Sequence, residues 1–516
     1  MQLYAGTRNA THPYFISTYV ISCRHMSKVG VIGGGFAGLA ASCFLAKEGH
    51  EVLLIDKHDT PGGRCRAFEA EGFTFDMGPS WYWMPDVFER FFAQFGYTSG
   101  DFYKLVRLDP SYQIIYSDGD ILKVPATYEA LRETFESYES GSAAQLDAFL
   151  KDAAYKYEVG MKDYVHKPSL KLAEFMDARV LSSFMKIDLF KSISKEIRSR
   201  FKHPKLIQML EFPVLFLGAK PSNTPALYSL MNYADIKLGT WYPMGGMSEI
   251  PKAMSKIAKE LGVKMKLSES VHSLRITHKH IKDIVTDRGG YDVDAVISSA
   301  DYHHTETALI DPLYRSYSDE YWEKRAMAPS SLLFYIGIDK KVEGLLHHNL
   351  FFDTDFDRHA SQIYDTLEWP DQPLFYVCCP SKTDPSVAPE GKENLFFLIP
   401  ISAGIEDDKQ KHEELFDILV ARIKHHIGVD ISKDIIYKRT FCVEEFTKVY
   451  NSFKGNAYGL ANTLMQTAFL KPKMKSKKVD NLLFAGQLTT PGPGVPPSLI
   501  SGEVAAKFLH KSLSSL

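Results

Sequence analysis

The stretch Lys28-Val-Gly-Val-Ile-Gly-Gly-Gly-Phe-Ala-Gly-Leu-Ala-Ala-Ser42, followed at a distance by Asp56, decides the reading of this chain. A short apolar strand, Val29 to Ile32, runs into glycines at positions 33, 35 and 38. The spacing predicts an alanine-rich helix that stops at Gly49, then a second strand, Glu51 to Ile55, that ends on the acid. Strand, glycine turn, helix, strand, acid is the order a dinucleotide site requires. Gly33 permits the tight turn, Gly35 lets backbone N–H groups approach a pyrophosphate, and Gly38 lets the helix lie close on the strand. The helix opens at Phe36 and Ala37, and its N-terminus attracts phosphates. Asp56 is expected to accept hydrogen bonds from the ribose hydroxyls, with Lys57 beside it in the candidate set.

Outward from this stretch, the chain has 516 residues, enough for two or three domains with a large core. Hydrophobic content of 45% and charged content of 24% are ordinary for a globular protein, and a net charge of −3 gives no reason to expect nucleic acid as a partner. The six cysteines form no CxxC pair, fit a reducing compartment, and read mostly as small core residues; no metal is expected. No apolar run reaches the length of a spanning helix, about 18 residues. Residues 1–25 hold a modest apolar run, Tyr14 to Cys23, that lacks the clean core of a secretory signal. Met26 directly precedes the first strand, so that segment is expected to be disordered or a misassigned start.

Two further glycine turns follow, Pro61-Gly-Gly-Arg64 and Phe75-Asp-Met-Gly-Pro-Ser80. From Leu122 to about Ala234 the pattern is mostly helical, with Tyr128 to Tyr138 and Ala143 to Tyr164 at helical spacing. A turn-rich segment, Trp241-Tyr-Pro-Met-Gly-Gly-Met247, leads into a helix ending near Gly262, and short strands follow at Val263 to Leu267, Val271 to Ile276, Ile281 to Thr286 and Ala295 to Ser298. Residues 330–400 are strand-rich, His412 to Ile427 is an amphipathic helix, and the chain ends as strand, glycine loop and a helix over Ser498 to Leu509. Nucleotide-type elements therefore lie at both ends and in the middle. That layout favours FAD, a long cofactor covered by distant segments, over a contiguous NAD unit.

With these motifs on the page, the chain resembles the bacterial-type phytoene desaturases, a branch of the FAD-dependent amine-oxidase-like group. The resemblance runs from residue 27 to 510 and rests above all on Phe484-Ala-Gly-Gln-Leu-Thr-Thr-Pro-Gly-Pro-Gly-Val-Pro-Pro-Ser-Leu-Ile-Ser-Gly502. It implies an α/β protein whose Rossmann-like FAD-binding domain is assembled from residues 26–105, 237–305 and 476–516. The substrate domain would comprise a mainly helical, membrane-facing part, 106–236, and a sheet-rich part, 306–475. It implies non-covalent FAD and stepwise double-bond formation in a C40 carotenoid, from phytoene toward lycopene. The same family holds hydroxycarotenoid desaturases, carotene isomerases and retinol saturases, and the motifs leave these open. A flavin-containing carotenoid carrier without turnover, and an NAD dehydrogenase using the first motif alone, are the alternatives of other classes.

The resemblance extends the cofactor set. Gly63 and Arg64 would meet pyrophosphate or flavin, Gly78, Pro79 and Ser80 would bring backbone to the flavin, and Val271 starts a strand like the one whose backbone meets adenine. Gly486, Gln487, Gly494, Val495 and Pro496 form a stiff loop ahead of the last helix, suited to the ribityl or isoalloxazine part. An allylic cation is acidic enough to lose its proton without a strong base, so no catalytic base is assigned; Asp301, His303 and His304 read as loop residues. A hydrocarbon substrate implies a membrane surface, with the enzyme bound peripherally on the inner face of the cell membrane. Ser182 to Phe216 supplies a candidate contact: Phe184, Ile187, Phe190, Ile193 and Ile197 share one helical face, and Lys186, Lys191, Lys195, Arg198, Arg200, Lys202 and Lys205 complement anionic headgroups. Phe212 to Leu217 is expected to line the channel entrance. Oxygen or a quinone would take the electrons.

Overall fold

The computed structural model describes residues 26–169, 191–467 and 470–515. The expectation for residues 1–25 lies outside them. A five-stranded parallel sheet runs in the order Leu482–Phe484, Ala295–Ser298, Lys28–Ile32, Glu51–Ile55, Lys264–Lys266. Gly30 stands between Leu53 on one side and Val296 on the other. The sheet is drawn from the start, the middle and the end of the chain. Its inner strands are apolar on both faces because both faces are covered: Val296 and Ile297, which point to opposite faces, are both 0% exposed.

The first helix, Phe36–Lys47, is buried from Phe36 through Leu45. It packs against the helix Glu249–Glu260 and against the last helix, Val495–Leu513. The approach to the last helix is close: a Cβ on Gly502 would stand 2.0 Å from the carbonyl oxygen of Ala37. An antiparallel meander, Val271–Thr277, His280–Thr286 and Gly289–Asp292, seats Ile284 on the first strand, where a Cβ on Gly30 would stand 2.2 Å from Ile284 Cδ1.

The second sheet has seven strands in the order Ile435–Phe441, Ser330–Ile338, Glu393–Ile401, Phe375–Cys378, His348–Phe352, Tyr112–Tyr116, Ile121–Val124. It is antiparallel except where His348–Phe352 meets Tyr112–Tyr116. Alternation assigns its faces. Leu332, Phe334, Leu395 and Phe397 pack with the helix Lys409–Ile427, while Leu333, Tyr335, Tyr376 and Phe396 join the core shared with the cofactor sheet.

Three expectations are corrected. Ile121–Val124 is an edge strand, so the helical region starts later than Leu122. The last helix begins at Val495, not Ser498, because Pro496 and Pro497 occupy its first turn, where no amide proton is needed for the helix ladder. The described part of the expected membrane face turns inward. Ile193 and Ile197 are 0% exposed on the helix Ile193–Arg200. Four of the six described cations of that face are paired within the protein: Lys191 and Arg200 on Glu196, Arg198 on Glu211, Lys205 on Asp118 and Asp120. Phe212 and Val214, expected at a channel entrance, are buried, and Phe212 packs on Trp81 and Tyr112. Phe184, Lys186, Ile187 and Phe190 lie outside the described residues.

Candidate cofactor and substrate cavity

A cavity of about 610 Å³ opens between the two sheets, at the C-terminal ends of the parallel strands. That is where an open α/β sheet receives its ligand. The glycine turn makes one wall. Gly33 takes φ +94°, and a Cβ on Gly38 would stand 1.9 Å from the Gly33 carbonyl oxygen. Gly38 therefore does not line the cavity, as the candidate set had it; it acts from beneath, by letting the helix sit against the turn. Gly35 faces the second glycine turn, where Gly63 takes φ +57° and Gly62 N–H donates to the Gly34 carbonyl at 2.7 Å. Side chains at either glycine would fill the space between the turns. Asp56 is pinned at the far end of this wall: Oδ2 accepts from Gly34 N–H at 2.5 Å and Oδ1 from His58 N–H at 2.7 Å.

Arg64 is a half-buried cation of the site. It donates to Ser452 Oγ and to the Asn456 carbonyl, and lies over the Tyr450 ring at 5.0 Å. It makes no ion pair among the described residues, its Nε has no hydrogen-bond partner, and burial pushes its guanidinium below the usual value. Asp301 attracts it without forming an ion pair, and burial disfavours a charge that lacks a close counter-charge. A pyrophosphate supplies that counter-charge, and the two glycine turns leave room for it, so the residues present fit FAD. Lys57, also pushed down by burial, is held by the Lys448 carbonyl and Asn451 Oδ1.

The opposite wall comes from the end of the chain. Gly486 N–H donates to Ser501 Oγ at 2.9 Å, Gln487 Nε2 donates to Asn456 Oδ1 at 3.0 Å, and Gly494 takes φ +109°. Val495 and Pro496 open the last helix at the cavity. Prolines at 496 and 497 leave Val495 as the amide donor of that turn before Ser498, whose N–H is taken by the Gly494 carbonyl. Phe36, Ala37, Gly78, Pro79, Ser80 and Val271 also face the cavity. Asp301 and His304 line it as well, but in structural roles: Asp301 accepts from His304 N–H and Phe453 N–H, and burial pushes its carboxyl up to about 6. His304 is pushed down to about 4, chiefly by burial, and His303 packs on Phe453.

Sequence reading missed two groups of residues. Ser299, just past the middle strand, donates its Oγ–H toward the Gly33 and Ile32 carbonyls and locks the turn. Its place at the end of a parallel strand was the available signal. The other group is the apolar arm of the cavity, formed by Trp81, Trp83, Met231, Leu333, Phe396 and Leu398. Trp81 and Trp83 follow Ser80 directly, and that aromatic run could have been read.

This architecture is that of a dinucleotide-binding flavoprotein. The flavin containing amine oxidoreductase family matches residues 36–509. Carotenoid 3,4-desaturase of Haloarcula japonica is 40% identical over 487 residues, covering 94% of this chain and 98% of its own. The zeta-carotene-forming phytoene desaturase of Myxococcus xanthus is 29% identical, covering 93% of each. Among solved structures, an oxidoreductase from Methanosarcina mazei superposes with a TM-score of 0.61 at 14% identity over 93% of this chain and 100% of its own. Cyclohexylamine oxidase from Brevibacterium oxydans does so with 0.58 at 13% identity over 95% and 99%. The chain belongs to the flavin containing amine oxidoreductase family, in its carotenoid desaturase branch. It is an FAD-dependent oxidoreductase acting on CH–CH bonds.

Proposed function

We propose that the chain desaturates phytoene toward lycopene, with FAD along the glycine turns and the polyene in the arm lined by Trp81, Trp83, Leu333 and Phe396. The observation that carries this is the junction of the two arms at Gly78–Ser80, where a cradle for an anionic cofactor meets an aromatic and aliphatic wall. When bound, FAD accepts a hydride from the carbon next to the conjugated system. The protein's part is to position and to exclude water. Trp81 and Trp83 press the polyene toward the cofactor wall, Arg64 and the glycine amides hold the pyrophosphate, and Gly486 to Val495 close the remaining side.

A second reading is supported by one relative and one feature. That relative is named a carotenoid 3,4-desaturase. Ser331, buried on the apolar arm beside Tyr458, carries a hydroxyl suited to a polar end group. Product analysis decides: the purified protein is given phytoene, or a hydroxylated coloured carotenoid, in liposomes. Colour from phytoene supports the first reading, and conversion of the hydroxylated compound alone replaces it with the second. Absence of anaerobic flavin bleaching with either would favour a carrier.

The same reading places the protein on a membrane surface, with oxygen or a quinone as acceptor. No helix of the described residues is long and apolar enough to cross a membrane. Met465 and Leu470 are 75% and 39% exposed and supply apolar contact. Co-flotation with anionic liposomes is expected, reduced when Met465 is replaced by Asp.

A further inference from the structure

The apolar arm carries a polar seam. Tyr376 lines the cavity, is itself buried, and donates its hydroxyl to Ser80 Oγ at 3.0 Å. The same hydroxyl stands 2.6 Å from Nδ1 of His348. Its one proton thus sits between two acceptors, the serine and, when His348 carries its hydrogen on Nε2, the bare imidazole nitrogen. His348 is 0% exposed and lies flat on Trp81, ring centroids 4.1 Å apart.

The groups facing His348 are neutral or weakly charged. His347 lies 4.4 Å away ring to ring, on its own segment, and is pushed down to about 3 by burial. From the neighbouring strand come Tyr376 and Cys378, whose Sγ is 3.9 Å from Nδ1 and whose thiol burial pushes up to about 12. Asp76 and Tyr242 lie farther off, around a small cavity of about 20 Å³ that also touches His347, Cys378 and Ser80. Asp384 acts on His347 from beyond. His348 makes no ion pair among the described residues, and burial holds its ring well below the usual imidazole value.

Every desaturation releases one proton inside a cavity built to exclude water, and Tyr376 with His348 is a hydrogen-bonded pair on the wall of the apolar arm that can take it up. We propose that Tyr376 and His348 accept and store this proton. The proposal rests on the desaturase reading above. One C–H bond would break as a hydride, the hydrogen leaving with its electron pair, for which FAD when bound would be the acceptor. The neighbouring C–H bond breaks with its pair closing the new C=C bond. That proton goes to Tyr376 Oη as Tyr376 passes its own to His348 Nδ1. The imidazolium is stabilised by the negative charge then held on the cofactor across the Ser80 loop. An external two-electron acceptor, oxygen or a quinone, removes the hydride equivalent together with the stored proton, and both groups return to their starting state.

The test uses the FAD-loaded protein and no carotenoid. The two-electron reduction potential is measured by dye-linked titration from pH 6 to 8. Each proton bound with the electron pair steepens the potential by about 30 mV per pH unit. Wild type is expected near a slope of about 60 mV per pH unit, one proton on flavin and one on His348, and His348→Asn near about 30 mV. A wild-type slope of about 30 mV, or a slope that survives His348→Asn, overturns the proposal. Should that variant fail to load FAD, the reduced-minus-oxidised infrared spectrum of wild type labelled with ¹⁵N-histidine decides; imidazolium bands that shift with the label are expected, and their absence overturns it. Tyr376→Phe keeps the ring and His348, so the slope should hold while desaturation slows at least tenfold; unchanged turnover removes Tyr376 from the route. A wrong functional reading shows itself separately, as a normal slope with no carotenoid product.

Discussion

Gly502 offers a sharp test of how the two ends of the chain meet. In Gly502→Ala the new Cβ would stand 2.0 Å from the Ala37 carbonyl oxygen and 2.8 Å from its carbon. A carbon–oxygen contact relaxes at about 3.3 Å, so the first and last helices must part by about 1.3 Å. Overpacking of this kind costs about 1–3 kcal/mol, and backbone on both sides places it at the upper end. Alanine recovers about 1 kcal/mol of helix propensity over glycine, leaving a net loss of about 2 kcal/mol. The displacement also moves Ala37 and Val495, both of which line the cofactor cavity. A tenfold weaker FAD affinity is therefore expected, since tenfold corresponds to about 1.4 kcal/mol. Urea unfolding of the FAD-free protein gives the first quantity, and titration of flavin fluorescence gives the second. A variant with wild-type midpoint and wild-type affinity would refute the close crossing and with it the argument for glycine at this position.

Arg64→Ala removes the half-buried cation of the cofactor wall. The loss of a charge-assisted hydrogen bond, about 1.5–3 kcal/mol, should weaken FAD about 10- to 150-fold, as isothermal titration will show. Asp235 accepts from Tyr112 and Thr240, and burial pushes its carboxyl up to about 6. With the folded value above the ordinary one, its stabilising contribution is complete below about pH 4 and is lost as pH rises through about 6. Asp235→Asn should then gain on wild type by about 1.4 kcal/mol per pH unit across that window and no further above it, as urea midpoints at stepped pH will show.

The cofactor end was legible because its demands are local. A positive φ at Gly33, a helix pressed against a turn at Gly38 and an acid at the end of the second strand each leave a mark within a few residues. The boundaries of Tyr128–Tyr138 and Ala295–Ser298 were read to the residue, since charged faces and flanking turns limit them sharply. What was missed depends on distant partners. Ile193 and Ile197 have the periodicity of a lipid-facing stripe, but the same stripe serves a core, and only the ion pairs to Glu196 and Glu211 tell which. Strand alternation around Leu333 and Phe396 could not say which face meets the cavity, because both faces are apolar. The seam of Ser80, Tyr376 and His348 joins residues nearly three hundred positions apart and has no local signature.

The strand Leu482–Phe484 and the helix after it complete a layer begun at Lys28. During synthesis the nascent polypeptide must therefore keep its opening glycine turn uncovered until Leu482–Phe484 and the helix after it have been made. Loading of FAD awaits that last strand and helix, and a chain clipped before Leu482 would leave Ala295–Ser298 as a bare sheet edge beside an incomplete cofactor wall.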